Sequence, residues 1–450
     1  MTLGWRRIYY TSAIIAFLVG APLLVLYALG YRFNFSNRQI QRTGAITVTT
    51  APRGATVSLN DVALAKRTPL QITNLLPGEY DLQISKPDFF SWRSDVSVFS
   101  SRSTNIQNLV LFKAQPSVKQ IWFGQKLISS LSPDSSLLAV VDRFDNVTHL
   151  SILDLKTSRR QTLILASDIS PDSIAWSNNN KNILLVDQTD ENDALYIYNL
   201  ASLKLTDLTT SFPPLIQQAW WSDESADIIF ASGPNHLYSI DLYNNQIDII
   251  WNGQVTDFLP VNTGGYFIDT LRTPARLMVY DPTVGPPEIL TDLTGPAYRL
   301  WPGPDNWFGL ENTETNQLTI NQFPDAQRLI QTPIDYPGQF IKWDRTGQRL
   351  LFGDGHELFF YNLKTDSYQL ITRQIEPYAT ARWYPVGATI LTVDQDRLQA
   401  INLINGDPTE RLTLLEKPKL NLLGFSKSGG IAYLEWLEDN QTVIAGVTIR

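Results

Sequence analysis

Cysteine is absent from all 450 residues. That excludes disulfides, thiolate-bound zinc and thiol nucleophiles at once, while leaving the compartment open. Histidine is almost absent. His149, His236 and His356 are widely separated; His236 and His356 fall in polar loop stretches, and His149 opens an apolar run. The chain has no Gly-x-Ser-x-Gly elbow, no His-Glu-x-x-His pair and no glycine-rich loop ahead of a lysine. An enzyme is therefore not expected, and neither a cofactor nor a defined metal site is expected.

Charge is also sparse, at 18 % of residues, and uneven. Residues 1–50 hold Arg6, Arg7, Arg32, Arg38 and Arg42 and no acid, so the remainder sets 31 basic against 44 acidic groups, a balance of −13. A body of that sign repels nucleic acid, which is excluded as a partner. Pro and Gly together number 51, which suits short strands joined by tight turns.

Long hydrophobic runs are lacking except for one. Residues 8–30 carry no charged side chain, and as a helix they span roughly 30 Å of hydrocarbon. Trp5, Tyr9 and Tyr10 at one end, and Tyr27, Tyr31 and Phe33 at the other, have the placement of interfacial aromatic belts. A transmembrane helix is expected over 8–30, with a short segment 1–7 before it and a linker 31–43 after it. A cleaved signal peptide has an apolar core of only about 7–15 residues, so an uncleaved anchor is favoured. Arginines flank the run on both sides, and charge alone leaves the orientation open.

From residue 44 to 113 short stretches such as "AITVTT", "ATVSLN" and "EYDLQIS" alternate apolar and polar residues, as strands with one buried face do. Pro52 presets φ for a turn and Gly54 supplies freedom at the reversal; Pro77 and Gly78 repeat that logic. A small β-sandwich is expected. The motifs "APRGATVSLN" (with Pro52, Gly54 and Ala55), "RTPLQI" (with Pro69) and "LLPGEYDLQI" (with Pro77 and Gly78) resemble the PEGA domain. In "KPDFFSW" the chain has Asp88 and Phe89 where that family commonly has Gly-Tyr. The resemblance implies a noncatalytic module on a surface protein behind a single membrane anchor, with the bulk of the chain extracytoplasmic.

Beyond residue 117 a unit recurs, clearest at "WDRTGQRLLFGDGHELFFYNLKTDSYQLI". Its register positions are Leu131, Trp176, Trp221, Leu259, Trp301, Trp343, Trp383 and Phe425, spaced 38 to 45 residues apart. That period fits four-stranded propeller blades, which bury both faces only by stacking radially. The Trp residues are then inter-blade packing groups. The final copy stops after three strands, and the stretch Val118–Gly124 has no other partner, so the two are expected to pair and close the ring over 117–450. Eight blades follow from the count, and seven if the copy at Leu131 or Leu259 is irregular. "LSPDSSLLAV" resembles the Ser-Pro-Asp-Gly turn of TolB-type propellers, with Ser135 in place of Gly; WD40-like repeats share the outline without their Gly-His and Trp-Asp dipeptides.

Asp142, Asp187, Asp269, Asp354 and Asp394 recur where the second strand of a unit ends. Turn chemistry is one reading, since Asp caps unpaired backbone groups in loops. An acidic face for cations or a basic partner is the other, with "DQTDEND" the most oxygen-rich loop. The chain is thus expected to be mainly β: a transmembrane helix, a PEGA-type sandwich as spacer, and a propeller as interaction platform for a protein or envelope partner. Two alternatives remain: a structural envelope or export-complex component without a soluble ligand, or an enzyme with an unrecognised site at the channel.

Overall fold

The computed structural model describes residues 3–34, 38–166, 169–188, 193–211, 216–304, 307–322, 330–335, 340–344, 346–404, 406–409 and 411–450. One helix, Leu3–Ala28, leads the chain and continues through Pro22 without a break. Its stretch Tyr9–Ala28, of mean hydropathy 2.1, is long and apolar enough to cross a membrane and is not buried within the molecule. The helix begins five residues before the apolar run expected at residue 8. It ends at Gly30, whose φ of +83° is the left-handed stop that glycine adopts without strain. There the Leu29 and Gly30 amides donate back to the carbonyls of Val25 and Tyr27.

Where a linker was expected over 31–43, the chain forms a hairpin, Tyr31–Asn34 paired with Gln39–Arg42. Its polar and aromatic residues carry too little apolar alternation to read as strands. The hairpin is held from both sides. Arg32 donates to the carbonyls of Tyr27 (2.8 Å) and Tyr31 (2.9 Å) and to Asn74 Oδ1 (3.1 Å), and its guanidinium lies 3.6 Å from the centre of the Tyr27 ring.

The sandwich that follows has a three-stranded sheet, with Gly44–Ala51 between Leu70–Leu75 and Ser103–Val110, and a four-stranded sheet. The latter runs Val62–Arg67, Thr56–Leu59, Gly78–Ser85, Trp92–Val98. Alternate residues Ile46, Val48, Val57, Leu82, Ile84, Val96 and Val98 fill the space between them. The burial pattern of Gly44–Ala51 has period two from end to end, as a strand with one inner face must.

Eight antiparallel sheets occupy the rest of the described residues, seven of four strands and one, beginning at Thr380, of five. Seven are built from consecutive strands in chain order, beginning at Lys126, Ser173, Gln218, Val255, Tyr298, Phe340 and Thr380. The eighth takes Asn421–Phe425, Ile431–Glu438 and Gln441–Thr448 from the end of the chain and Ser117–Gly124 from before the first sheet. Ser117 stands opposite Thr448 and Gly124 opposite Thr442, which is the pairing expected of the unpartnered stretch Val118–Gly124. First strands of most neighbouring sheets touch one another, and Asn421–Phe425 touches Lys126–Leu131, bringing the last sheet back to the first. The fold is a β-propeller whose second and third strands are almost wholly buried between sheets.

Sandwich and propeller share a core. Val110 and Phe112 are buried among Tyr384, Leu391, Leu434 and Ile449, and the Phe112 and Tyr384 rings meet edge-on at 5.4 Å. Backbone bonds fix the same seam: Lys113 N donates to the Ile449 carbonyl (2.9 Å), and Asn402 Nδ2 to that of Val110 (3.2 Å). Gly387, at φ +71°, lets this strand come close, since a Cβ there would lie 2.4 Å from the Asn108 carbonyl oxygen.

Candidate functional site

The sandwich's motif residues form one knot of hydrogen bonds. Thr68, before Pro69, places its Oγ1 2.9 Å from the amide of Ala55 and 2.6 Å from Thr50 Oγ1. Thr50 Oγ1 lies 2.7 Å from the Pro52 carbonyl, and the Gly54 amide donates to the Thr68 carbonyl. Gly54 adopts φ +84°, so the turn needs the residue found there. Pro77 and Gly78 are spanned by Tyr80, whose hydroxyl donates to the Leu76 carbonyl at 2.9 Å. Every one of these side chains is spent on backbone, which leaves the motif a structural role.

The recurrent tryptophans act across the seams between sheets. The indole N–H of Trp176 donates to the Ser130 carbonyl (3.1 Å), that of Trp221 to Ala175 (3.0 Å) and that of Trp383 to Lys342 (3.1 Å). Each acceptor lies one residue before the register position of the preceding sheet. First strands have a free inner edge, and the indoles satisfy part of it. Trp301 departs, donating to Glu311 Oε2 of its own sheet at 2.7 Å. At that seam the Asp257 carboxylate instead accepts from the Leu300 amide at 2.7 Å, and burial raises its pKa above the ordinary carboxylate value. Trp343 Nε1 is buried with no partner among the described residues.

The recurrent aspartates are not the open acidic face that the sequence allowed. Asp187, Asp269 and Asp394 are buried, and each turns into its own surroundings. Asp354 Oδ1 accepts from the amides of His356 and Glu357, and Asp269 Oδ1 from that of Leu271. Asp394 accepts from the Arg397 amide and pairs with the Arg397 guanidinium at 2.8 Å. Asp187 accepts from the Ser170 amide at 2.6 Å. Asp142 stands opposite His149 across the second and third strands, and burial raises its pKa, opposed by the charges of Arg160 and His149. For Asp269, Asp354 and Asp394 the cause is local: a strand that ends in a tight turn leaves amides unpaired, and a carboxylate at the last position caps them. Among the described residues no three His, Asp or Glu side chains converge to hold a metal ion. Residues 189–192 of the "DQTDEND" loop lie outside the described residues. Of the remaining histidines, His356 is exposed in its turn, while His236 begins a strand and not a loop, its ring 5.6 Å from that of Tyr238.

A wide cavity with charged and aromatic lining lies elsewhere. It opens where the turns after the first strands gather around the propeller axis, and measures about 770 Å³. Lys342, Arg382, Lys427, Trp343, Trp383 and Phe425 line it together with the Ser132–Ser135 turn.

Comparison with known proteins agrees with this architecture. Residues 43–112 match the PEGA domain. The PEGA domain lies directly behind the apolar helix and leads through Phe112 into the propeller. No curated protein matches the chain in sequence. Among solved structures it is similar to a dihydro-heme d1 dehydrogenase, NirN, in complex with DHE, at 14 % identity and a TM-score of 0.54, over 71 % of this chain and 72 % of that one. It is also similar to the Dos1 propeller, at 11 % identity and a TM-score of 0.51, over 73 % of this chain and 95 % of that one. Such likeness shows a shared fold. It also corrects the expectation that the chain is not an enzyme: a dehydrogenase is built on this fold, so the lack of a catalytic motif in the sequence does not set the chain apart from enzymes.

Proposed function

We propose that the protein is a membrane-anchored binding or scaffold protein, with its bulk outside the cytoplasm and its propeller as the platform on which a protein or envelope partner assembles. The carrying observation is the continuous chain of fixed connections from helix to propeller. Arg32 clasps the helix end to the PEGA domain at Asn74, and Phe112 seats the other end of that domain in the propeller core. A PEGA domain held at both ends is a rigid post, not a tether, and keeps the propeller at one height and attitude over the bilayer. The large loop faces of a propeller, carried on a stiff scaffold, suit recognition of a partner.

Two measurements test this reading. After alkaline carbonate washing the protein stays with the membranes, and protease added to intact cells removes the propeller. Extraction by carbonate, or protection until the cells are permeabilised, overturns the anchor or the orientation respectively. Crosslinking on intact membranes is then expected to capture a defined partner on the propeller, and capture only through the PEGA domain would move the platform there.

A further inference from the structure

The chain as a whole carries a net charge of −8, yet the cavity around the propeller axis is basic. Lys342 and Arg382 occupy the same register position on neighbouring first strands, each one residue before the recurrent tryptophan, and the bond from Trp383 to the Lys342 carbonyl holds those strands side by side. Lys427 adds a third cation at the rim. Among the described residues none of the three forms an ion pair. The lining also holds one carboxylate, Asp134, which forms no ion pair with the three cations; its Oδ1 accepts from Ser132 Oγ, Ser136 N and Ser136 Oγ within 2.9 Å. Arg382 donates through one Nη to the Leu423 carbonyl at 3.0 Å, while its Nε is buried without a hydrogen-bond partner among the described residues.

Two like charges in adjacent strands repel, and an enclosed guanidinium N–H without an acceptor is costly. Enclosure by protein, and then the charge of Arg382, lower the pKa of Lys342, while burial lowers that of Arg382. The bond to Leu423 gives Arg382 a part in closing its seam, but no structural need accounts for Lys342 beside it. The seams are closed by indoles and backbone, and small or apolar residues stand at the same register position in other sheets (Ser130, Ala175, Leu300, Gly424). An anion between Lys342 and Arg382 relieves their mutual repulsion.

We propose that this cavity binds a small oxyanion-bearing molecule, its phosphate or carboxylate group held by Lys342 and Arg382 and its remainder against Trp343, Trp383 and Phe425. Arg382 supplies a permanent guanidinium charge and Lys342 an ammonium charge beside it. At about 770 Å³ the space takes a metabolite-sized ligand, and its aromatic walls suit an apolar or ring portion. The site is independent of whether the propeller also carries a protein partner.

Calorimetric titration of the full chain in detergent micelles, at constant ionic strength with chloride as the reference, tests the site. Inorganic phosphate and citrate are the two probes. Saturable binding of at least one is expected, and the tighter probe separates a phosphate from a carboxylate ligand. Lys342→Gln and Arg382→Gln each weaken binding about tenfold or more, and Lys427→Gln by about threefold or less, as expected for a rim charge. If Arg382→Gln does not fold, Lys342→Gln and the charge-reversing Lys342→Glu, at the solvent-open side of the cavity, carry the test. Heats no larger than those of chloride for both probes, or Lys342 variants that bind like the unaltered chain, overturn the proposal.

Discussion

In the PEGA domain the bonds that define the motif join residues close in the chain: Thr50 and Thr68 are 18 apart, Ala55 and Thr68 are 13 apart, and Tyr80 reaches back only to Leu76. In the propeller the equivalent task falls to bonds between residues 41 to 46 apart, from Trp176 to Ser130, Trp221 to Ala175 and Trp383 to Lys342. The ring as a whole closes through strands more than 300 residues apart. One region is a local knot, the other a chain of seams. A knot tolerates little change at any one of its members. A chain of seams spreads the load, so that a seam can use an indole, a carboxylate at Asp257 or a guanidinium at Arg382 and still hold.

The contrast breaks most visibly at the closure. Deleting residues 114–124 removes the outer strand of the eighth sheet and exposes an edge along Gln441–Thr448. Stability is expected to fall by several kcal/mol, enough to unfold much of the propeller, because one strand's ladder and its buried contacts are a large part of a marginal total. Thermal melts followed by near-UV circular dichroism check this; an unchanged midpoint refutes the closure.

Phe112→Ala comes next. The ring is fully buried at the junction, and its loss costs about 3–5 kcal/mol. Calorimetry is expected to resolve the single transition into two, sandwich and propeller melting separately. A single transition merely shifted downward means that the two regions are coupled by other contacts.

Thr68→Val tests the knot. It keeps the shape but leaves the buried Ala55 amide without its partner and the Thr50 hydroxyl with the Pro52 carbonyl alone, at a cost of about 1–3 kcal/mol. The midpoint of the sandwich transition in denaturant measures it.

A seam is expected to respond less. Trp221→Phe removes only the donor to the Ala175 carbonyl and costs about 1 kcal/mol beyond the lost ring volume. The same change at Trp343, whose indole N–H has no partner among the described residues, is expected to cost less. Equal losses at the two sites would show that ring packing, and not the bond, is what the repeat preserves.

The smallest effect belongs to Asp142. Burial raises its folded pKa above the unfolded value, so the folded state holds the proton more tightly. The stability it contributes is complete below the ordinary carboxylate pKa and is lost as pH rises through the raised one. Asp142→Asn therefore raises the melting temperature at neutral pH by about 1–3 °C and removes that part of the pH dependence. A lower melting temperature would mean that the ionised carboxylate has a favourable partner.

Legibility in the sequence followed the range of the interaction. The Pro-x-Gly-Ala turn, the alternating strands and the repeat of about forty residues are short-range patterns, and each is present in the structure. Even the departures from the resembled motifs carry backbone information. Asp88 and Ser135, which stand where those motifs have glycine, adopt φ of +68° and +57°. These positions call for a left-handed residue, and Asp and Ser fill them at some cost. The hairpin 31–42 was illegible because its support comes from Asn74 and the helix end rather than from its own pattern. The aspartates were legible only as a choice between turn chemistry and an acidic face. Their recurrence was visible, but whether a carboxylate faces solvent or its own turn depends on rotation about bonds that no spacing reports.

The sequence by itself determined the apolar helix, the strand-rich class, the PEGA domain and the period of the propeller. These depend on the alternation of side chains and the demands of turns, which act within a few residues. Only the tertiary structure decided what sits around the axis. Lys342 and Arg382 are 40 residues apart, one in each of two repeats, and nothing in either repeat marks its lysine or arginine as special. Radial stacking puts equivalent positions of successive units side by side, so two isolated cations become neighbours at one cavity, Arg382 half-buried and Lys342 at its solvent-open side.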